Sequence, residues 1–131
     1  MEPLMPNSLR RTRSIAFERQ RGRCFYCQAP TWLRAPDQFA STFRLTIRET
    51  RQLQATAEHL IARCDGGGNR RDNIVAACVF CNSRRHRRAR PLEPEQYRLL
   101  VQKRLEKGCW HSPRIVEQIR NELSNTSTFQ C

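Results

Sequence analysis

Four cysteines in two CxxC pairs are the first residues of this chain whose spacing predicts chemistry. Cys24 and Cys27 form one pair, and Cys78 and Cys81 form the other after an insert of 50 residues. Two such pairs are what a tetrahedral four-thiolate zinc site requires, because each pair presents two sulfur ligands to one point. Four buried cysteines without a metal are the plainer alternative. We favour the zinc site, which would be structural because protein ligands fill all four coordination positions.

A second set of polar residues lies between Ala57 and Arg85. Glu58 precedes His59, a run of three glycines follows, Asn73 opens the next extended segment, and Asn82 comes directly after the second cysteine pair. Each feature alone has an ordinary explanation, since a lone histidine is usually structural and an asparagine after a loop is usually a turn residue. Their joint occurrence raises the question of whether this stretch only binds nucleic acid or also cuts it.

The succession resembles the HNH endonuclease family. The family pattern is met by an acidic residue and a histidine, an aliphatic pair, two glycines, an Asn-aliphatic pair, a CxxC pair and a final Asn: Glu58-His59, Leu60-Ile61, Gly66-Gly67, Asn73-Ile74, Cys78-Cys81 and Asn82. The resemblance covers about residues 10–90, and residues 57–85 carry most of its specificity. Asn82 stands where the family often has histidine, and Glu58 stands where aspartate is more usual.

The resemblance implies an α+β fold with a small ββα-metal (His-Me finger) core, a four-cysteine zinc knuckle pair, and flanking N-terminal and C-terminal helices. It implies that His59 is the general base that activates water, since imidazole can accept a proton near neutral pH. Glu58 and Asn82 would hold one catalytic cation, and their hard oxygen ligands favour Mg²⁺ or Mn²⁺ over zinc. Asn73 would bond the loop backbone and so orient His59. The expected reaction is DNA hydrolysis leaving 5′-phosphate and 3′-hydroxyl ends.

The charge of the chain supports a nucleic-acid partner. Its 131 residues carry 24 Lys and Arg against 12 Asp and Glu, a net charge of +12, and only Lys103 and Lys107 are lysines. Arginine suits phosphate recognition, and no apolar run approaches the roughly 20 residues of a membrane-spanning helix. The N-terminus lacks a signal-peptide pattern, so we expect a cytoplasmic protein. The arginines expected on the phosphate backbone are Arg70, Arg71, Arg84, Arg85, Arg87 and Arg88.

The elements that must position these residues follow from hydrophobic periodicity. We predict a flexible tail over 1–8, a zinc-stabilised nuclease domain over 9–92, a helical extension over 93–123 and a polar tail over 124–131. Within the nuclease domain the pattern predicts a helix over 9–21, a loop over 28–42, strands over 43–50, 54–61 and 73–77, and a helix from Phe80 to Pro91. The extension carries one helix from about 93 to 107 and another starting at Ser112-Pro113.

Two alternative functions, and the role of the C-terminal helices, remain open at this level. A non-catalytic zinc-knuckle module that binds DNA or RNA would use the same arginines, and a protein-interaction scaffold would use only the zinc. The helices after residue 93 would extend the nucleic-acid surface, complete the core or form a dimer. We expect Cys64, Cys109 and Cys131 to be free thiols, and His86 and His111 to be structural, with His86 as a reserve ligand one helical turn after Asn82.

Overall fold

The computed structural model describes residues 7–128, a mixed helical fold around one two-stranded antiparallel hairpin. Strand β1 (Ala55–His59) pairs with strand β2 (Ile74–Cys78), with Ala55 opposite Cys78 and His59 opposite Ile74. Every residue of β2 is buried, whereas β1 also has half-buried positions. The strands predicted over 54–61 and 73–77 are therefore confirmed.

Three α-helices precede this hairpin in the chain, and three follow it. Their bounds are α1 (Asn7–Arg19), α2 (Pro36–Phe43), α3 (Ile47–Gln52) and α4 (Val79–Arg85), then α5 (Pro94–Glu106) and α6 (Pro113–Thr128). A 3-10 turn at Arg63–Asp65 lies in the hairpin loop. The predicted α+β class, with a ββα unit formed by β1, β2 and α4, is confirmed.

Helix α4 begins where β2 ends. Cys78 is the last residue of β2 and the N-cap of α4, and its Sγ accepts a hydrogen bond from the Cys81 N–H at 3.4 Å. The helix ends at Arg85, earlier than the predicted stop at Pro91, and residues 86–90 form exposed turns. Like charges one turn apart weaken a helix, and the residue before a proline disfavours the helical conformation.

Helix α1 lies across the hairpin, and the turn after it covers the outer edge of β2. The Gln20 side chain accepts a hydrogen bond from the Ala76 N–H at 2.9 Å and donates one to the Ala76 carbonyl at 2.8 Å. These contacts satisfy backbone groups that an open strand edge would leave unpaired. Residues 7 and 8 of the predicted tail are helical, and its residues 1–6 lie outside the described residues.

The strand predicted over 43–50 is wrong, as is the uninterrupted loop predicted over 28–42. Arg44 ends α2 in the left-handed conformation (φ 53°), and α3 begins after Thr46. Thr46 Oγ1 accepts from the Glu49 N–H at 3.2 Å, and the Glu49 carboxylate accepts from the Thr46 N–H at 2.8 Å. This reciprocal capping box starts a helix. It outweighs an alternation that contains only three apolar residues.

The two C-terminal helices complete the core. Tyr97, Val101 and Ile115 are buried in the same cluster as the four paired cysteines. Residues 124–128 of the predicted polar tail extend α6, whereas residues 129–131, including Cys131, lie outside the described residues. Between residues 7 and 128, no helix has the length and apolar character needed to cross a membrane.

Candidate active site and metal centre

The four paired cysteines converge at one buried point. The sulfur atoms of Cys24, Cys27, Cys78 and Cys81 all lie within 4.8 Å of one another, and Cys27 and Cys78 are 3.9 Å apart. In a tetrahedral site with zinc–sulfur bonds of about 2.3 Å, neighbouring sulfurs lie roughly 3.8 Å apart. The cluster is therefore positioned to bind a metal ion, and its spacing fits zinc.

The buried thiols of the cluster affect one another's pKa. Hydrogen bonds from the other three cysteines lower the pKa of Cys27, whereas burial raises the pKa of Cys81. Hydrogen bonds with Cys24 and Cys27 also raise the pKa of Cys78.

Residues between α5 and α6 form a second layer around the cluster. The Trp110 indole N–H donates to Cys81 Sγ at 3.2 Å, and His111 Nε2 lies 3.2 Å from Cys27 Sγ. Metal ligands are commonly held by such outer hydrogen bonds. His111 is buried, and its role as a partner of Cys27 is structural. Cys64 and Cys109 are exposed free thiols outside the cluster.

Asn73 holds the hairpin loop closed. Its Oδ1 accepts from the Ile61 N–H at 2.8 Å, and its Nδ2 donates to the carbonyls of Ile61 at 3.0 Å and Gly68 at 2.9 Å. The predicted bonding of this side chain to the loop backbone is thus present. His59 is the last residue of β1, so these contacts hold in place the backbone that directly follows it.

His59 is half-buried at the mouth of this loop. Its Nε2 lies 2.9 Å from Asn69 Oδ1 and 3.4 Å from Arg63 Nε. The contact with Asn69 is the shorter, and it requires the tautomer in which Nε2 carries the proton and Nδ1 keeps a free lone pair. Thr12 in α1 donates to the Asn69 carbonyl at 3.1 Å, so the loop is also tied to the helix beneath it.

Glu58 points into the protein and is only 1% exposed. Its Oε2 accepts from the Tyr26 hydroxyl at 3.1 Å and forms a buried salt bridge with Arg85 Nη1 at 3.2 Å. Burial, and then the Glu58 charge, raise the pKa of Tyr26, which therefore stays a protonated donor. The other oxygen, Oε1, lies 2.9 Å from His86 Nε2.

Asn82 and His86 face β1 from the same side of α4. Asn82 Nδ2 donates to Thr56 Oγ1 at 2.9 Å, which directs its amide oxygen the other way. His86 follows one helical turn later, and Glu58 lies two residues after Thr56 on the same face of β1. Glu58 and His86 are thus in direct contact, and Asn82 contacts the same face of β1 two residues away.

A family comparison gives this arrangement its context. Residues 42–88 match the family model described as HNH endonuclease. This part of the chain is therefore similar to that family, and it spans 47 of the 131 residues. The match includes Glu58, His59, Asn73 and Asn82, together with the second cysteine pair. No match was found among curated proteins or among solved structures.

The arginines predicted to contact phosphate divide into two groups. Arg70, Arg71, Arg87 and Arg88 are exposed, and Arg84 is half-buried against the Phe80 ring, 3.3 Å from its centroid. Arg85 is different and corrects the prediction of a phosphate contact. It is only 6% exposed, and its guanidinium donates to Glu58 and to the carbonyls of Leu92, His59 and Leu60.

Several residues around Glu58, His59, Asn82 and the cysteine cluster were missed by sequence reasoning. Tyr26, Thr56 and Asn69 contact Glu58, Asn82 and His59 respectively, and Trp110 contacts a cysteine. Tyr26 and Trp110 lie far from their partners in sequence, so no local pattern connects them. Asn69 had a weak signal, because it is the polar residue directly after the glycine run in the same loop.

Proposed function

We propose that this chain is a metal-dependent HNH endonuclease that hydrolyses DNA phosphodiester bonds, with a structural zinc at the four cysteines. The observation that carries the proposal is the position of His59. It is the last residue of β1, next in sequence to Glu58, and Asn69 engages one of its ring nitrogens. A protein that only binds nucleic acid needs no such arrangement.

His59 acts as the general base in this proposal. Because Nε2–H donates to Asn69 Oδ1, the lone pair on Nδ1 takes a proton from the attacking water. Asn69 selects the tautomer, and Asn73 holds the loop that sets the position of the ring. Such positioning matters, since small displacements of a catalytic group can cost about 100-fold in rate.

The donor set beside His59 fits a divalent cation. Two adjacent ligands of an octahedral ion at about 2.1 Å lie roughly 3.0 Å apart, and Glu58 Oε1 and His86 Nε2 are 2.9 Å apart. Asn82 supplies an amide oxygen. A bound cation would polarise the scissile phosphate and stabilise charge on the leaving 3′ oxygen. One imidazole among oxygen ligands favours Mn²⁺ while still admitting Mg²⁺.

The test is cleavage of supercoiled plasmid in Mg²⁺ or Mn²⁺ by wild type, His59→Ala and Asn82→Ala. Wild type should cut, His59→Ala should be inactive, and Asn82→Ala should be folded and inactive. Asn121→Ala, an exposed asparagine in α6, is the matched control and should cut normally.

Circular dichroism and zinc content establish that each variant is folded. Equal cleavage by wild type and His59→Ala would exclude the proposed base. Wild type that binds DNA and cuts it with neither metal would indicate a zinc-knuckle binding module instead. Ligation of the products without prior phosphorylation tests for 5′-phosphate ends.

A further inference from the structure

A second basic site lies between α4 and α5. A cavity of about 280 Å³ opens there, and its lining includes Arg84, Arg87, Arg88 and Arg104, with Tyr97 and Trp110 among its aromatic residues. Arg104 comes from the C-terminal extension, so the cavity exists only because α5 packs beside the segment that is similar to the HNH family. No acidic side chain lines it.

Five arginines line this cavity, and one of them, Arg85, is paired with the Glu58 carboxylate. Among the residues that the structure describes, the other four, Arg84, Arg87, Arg88 and Arg104, take part in no salt bridge. The cluster therefore carries mutual repulsion that a bound anion would relieve.

Aromatic rings limit how these arginines move. The Arg84 guanidinium lies 3.3 Å from the Phe80 ring centroid, and that of Arg104 lies 5.8 Å from the Trp110 ring centroid. Guanidinium groups held against aromatic faces keep their N–H donors directed outward, and they match the oxygens of a phosphate group in pairs. This organisation distinguishes the cavity from a row of solvated side chains.

We propose that the cavity binds a phosphodiester group of the nucleic-acid strand at a distance from the cleaved bond. The proposal rests on the proposed function in taking a nucleic acid as the ligand. Arg85 lines the cavity and also donates to Glu58, so the cavity lies about one arginine side chain away from the Glu58–His86 pair. A strand that rises about 3.4 Å per nucleotide spans this distance in a few steps.

The test compares Arg104→Gln with Lys103→Gln. Both residues are exposed on α5 and lose one positive charge, but only Arg104 lines the cavity. Binding of a fluorescent 20-base-pair DNA duplex is measured by anisotropy across a salt series without Mg²⁺ or Mn²⁺, on zinc-loaded protein. One lost phosphate contact should weaken binding about eightfold at 0.1 M salt, and it should reduce the salt slope by about 0.9.

Lys103→Gln should leave both quantities near their wild-type values. Equal losses in the two variants would overturn the proposal, because they would show a diffuse charge effect. Unchanged binding by Arg104→Gln would overturn it as well.

A second arm separates a nucleic-acid phosphate from free phosphate. The Trp110 indole N–H resonance reports on the cavity wall during titration with a four-nucleotide DNA or with inorganic phosphate. We expect the oligonucleotide to shift it at lower concentration, and we expect Arg104→Gln to remove the shift. A tighter response to inorganic phosphate would overturn the assignment to a phosphodiester.

These measurements stand apart from cleavage. If wild type cuts no plasmid but Arg104→Gln loses DNA affinity selectively, the nuclease proposal fails and the phosphodiester site stands. If cleavage requires His59 but Arg104→Gln binds DNA like Lys103→Gln, the nuclease proposal stands and the phosphodiester site fails.

Discussion

Replacing Glu58 by Gln tests the buried charge network that supports the proposed cation site. The substitution keeps the shape of the side chain but removes the negative charge opposite Arg85, and both residues are nearly inaccessible to solvent. Breaking a buried ion pair by neutralising one partner typically costs 3–5 kcal/mol. Arg85 keeps three backbone carbonyl acceptors, so we expect the lower end, about 3 kcal/mol.

This cost should be visible in thermal unfolding. A chain of 131 residues has an unfolding entropy of about 0.28 kcal/mol/K. A loss of about 3 kcal/mol therefore lowers Tm by about 11 °C. Calorimetry of zinc-loaded protein measures the shift, and Glu106→Gln, an exposed glutamate of α5, is the control that should melt like wild type.

A double-mutant cycle separates the ion pair from other effects. If the pair contributes as described, Glu58→Gln with Arg85→Gln should cost less than the sum of the two single changes. Cleavage is compared well below the Tm of each variant, and Glu58→Gln should cut poorly even when fully folded, because a neutral amide holds a cation less well. A Tm within 2 °C of wild type, or additive costs, would refute this account of the network.

Three further predictions concern the metal sites and the loop. Cys78→Ser should prevent folding by removing one zinc ligand, because structural zinc contributes about 10 kcal/mol or more to stability. The control Cys64→Ser changes an exposed thiol and should fold normally. A folded, zinc-loaded Cys78→Ser protein by circular dichroism would contradict the assignment. Asn73→Ala should lower the free energy of unfolding by about 3 kcal/mol, roughly 1 for each of its three hydrogen bonds. It should also lose most of the cleavage activity. Unchanged urea unfolding would count against the role of Asn73 in holding the loop. His86→Asn should shift the metal preference from Mn²⁺ towards Mg²⁺ in plasmid assays, and an unaltered preference would remove His86 from the ligand set.

The sequence was most informative where chemistry and local geometry coincide. The four-cysteine metal site and the hairpin could be predicted because CxxC spacing and the strand–loop–strand pattern are local properties of the sequence. Helix α5 could be predicted because its apolar residues recur at helical spacing. The false strand over 43–50 shows the limit of this approach. Its apolar alternation was outweighed by a capping interaction between Thr46 and Glu49, in which the side-chain geometry is decisive.

The roles of single arginines could not be predicted from the sequence. Arg84, Arg85 and Arg88 belong to one run of similar residues and all three line the cavity beside α5, yet of the three only Arg85 is buried and paired with Glu58. The difference depends on Tyr26, Glu58 and the extension helices, which approach α4 from distant parts of the chain. A charge run predicts the partner class, and the tertiary fold determines which member contacts it.

The glycine run shows how finely the loop is specified beyond its composition. A Cβ on Gly67 would lie 1.7 Å from the Ile61 carbonyl oxygen, the same oxygen that accepts a hydrogen bond from Asn73. A Cβ on Gly68 would meet no atom within 4 Å. Gly67→Ala must therefore displace the Ile61 backbone, and the displacement reaches His59 two residues earlier.

The matched pair of Gly67→Ala and Gly68→Ala makes this coupling measurable. Gly68→Ala should retain wild-type cleavage and stability, whereas Gly67→Ala should lower Tm and reduce cleavage even at temperatures where it is folded. The reduction should appear in the turnover rate and leave DNA affinity unchanged, because the arginines are not displaced. Equal cleavage by the two variants would show that His59 keeps its position without the Asn73–Ile61 contact, and the loop would then lose its proposed role in catalysis.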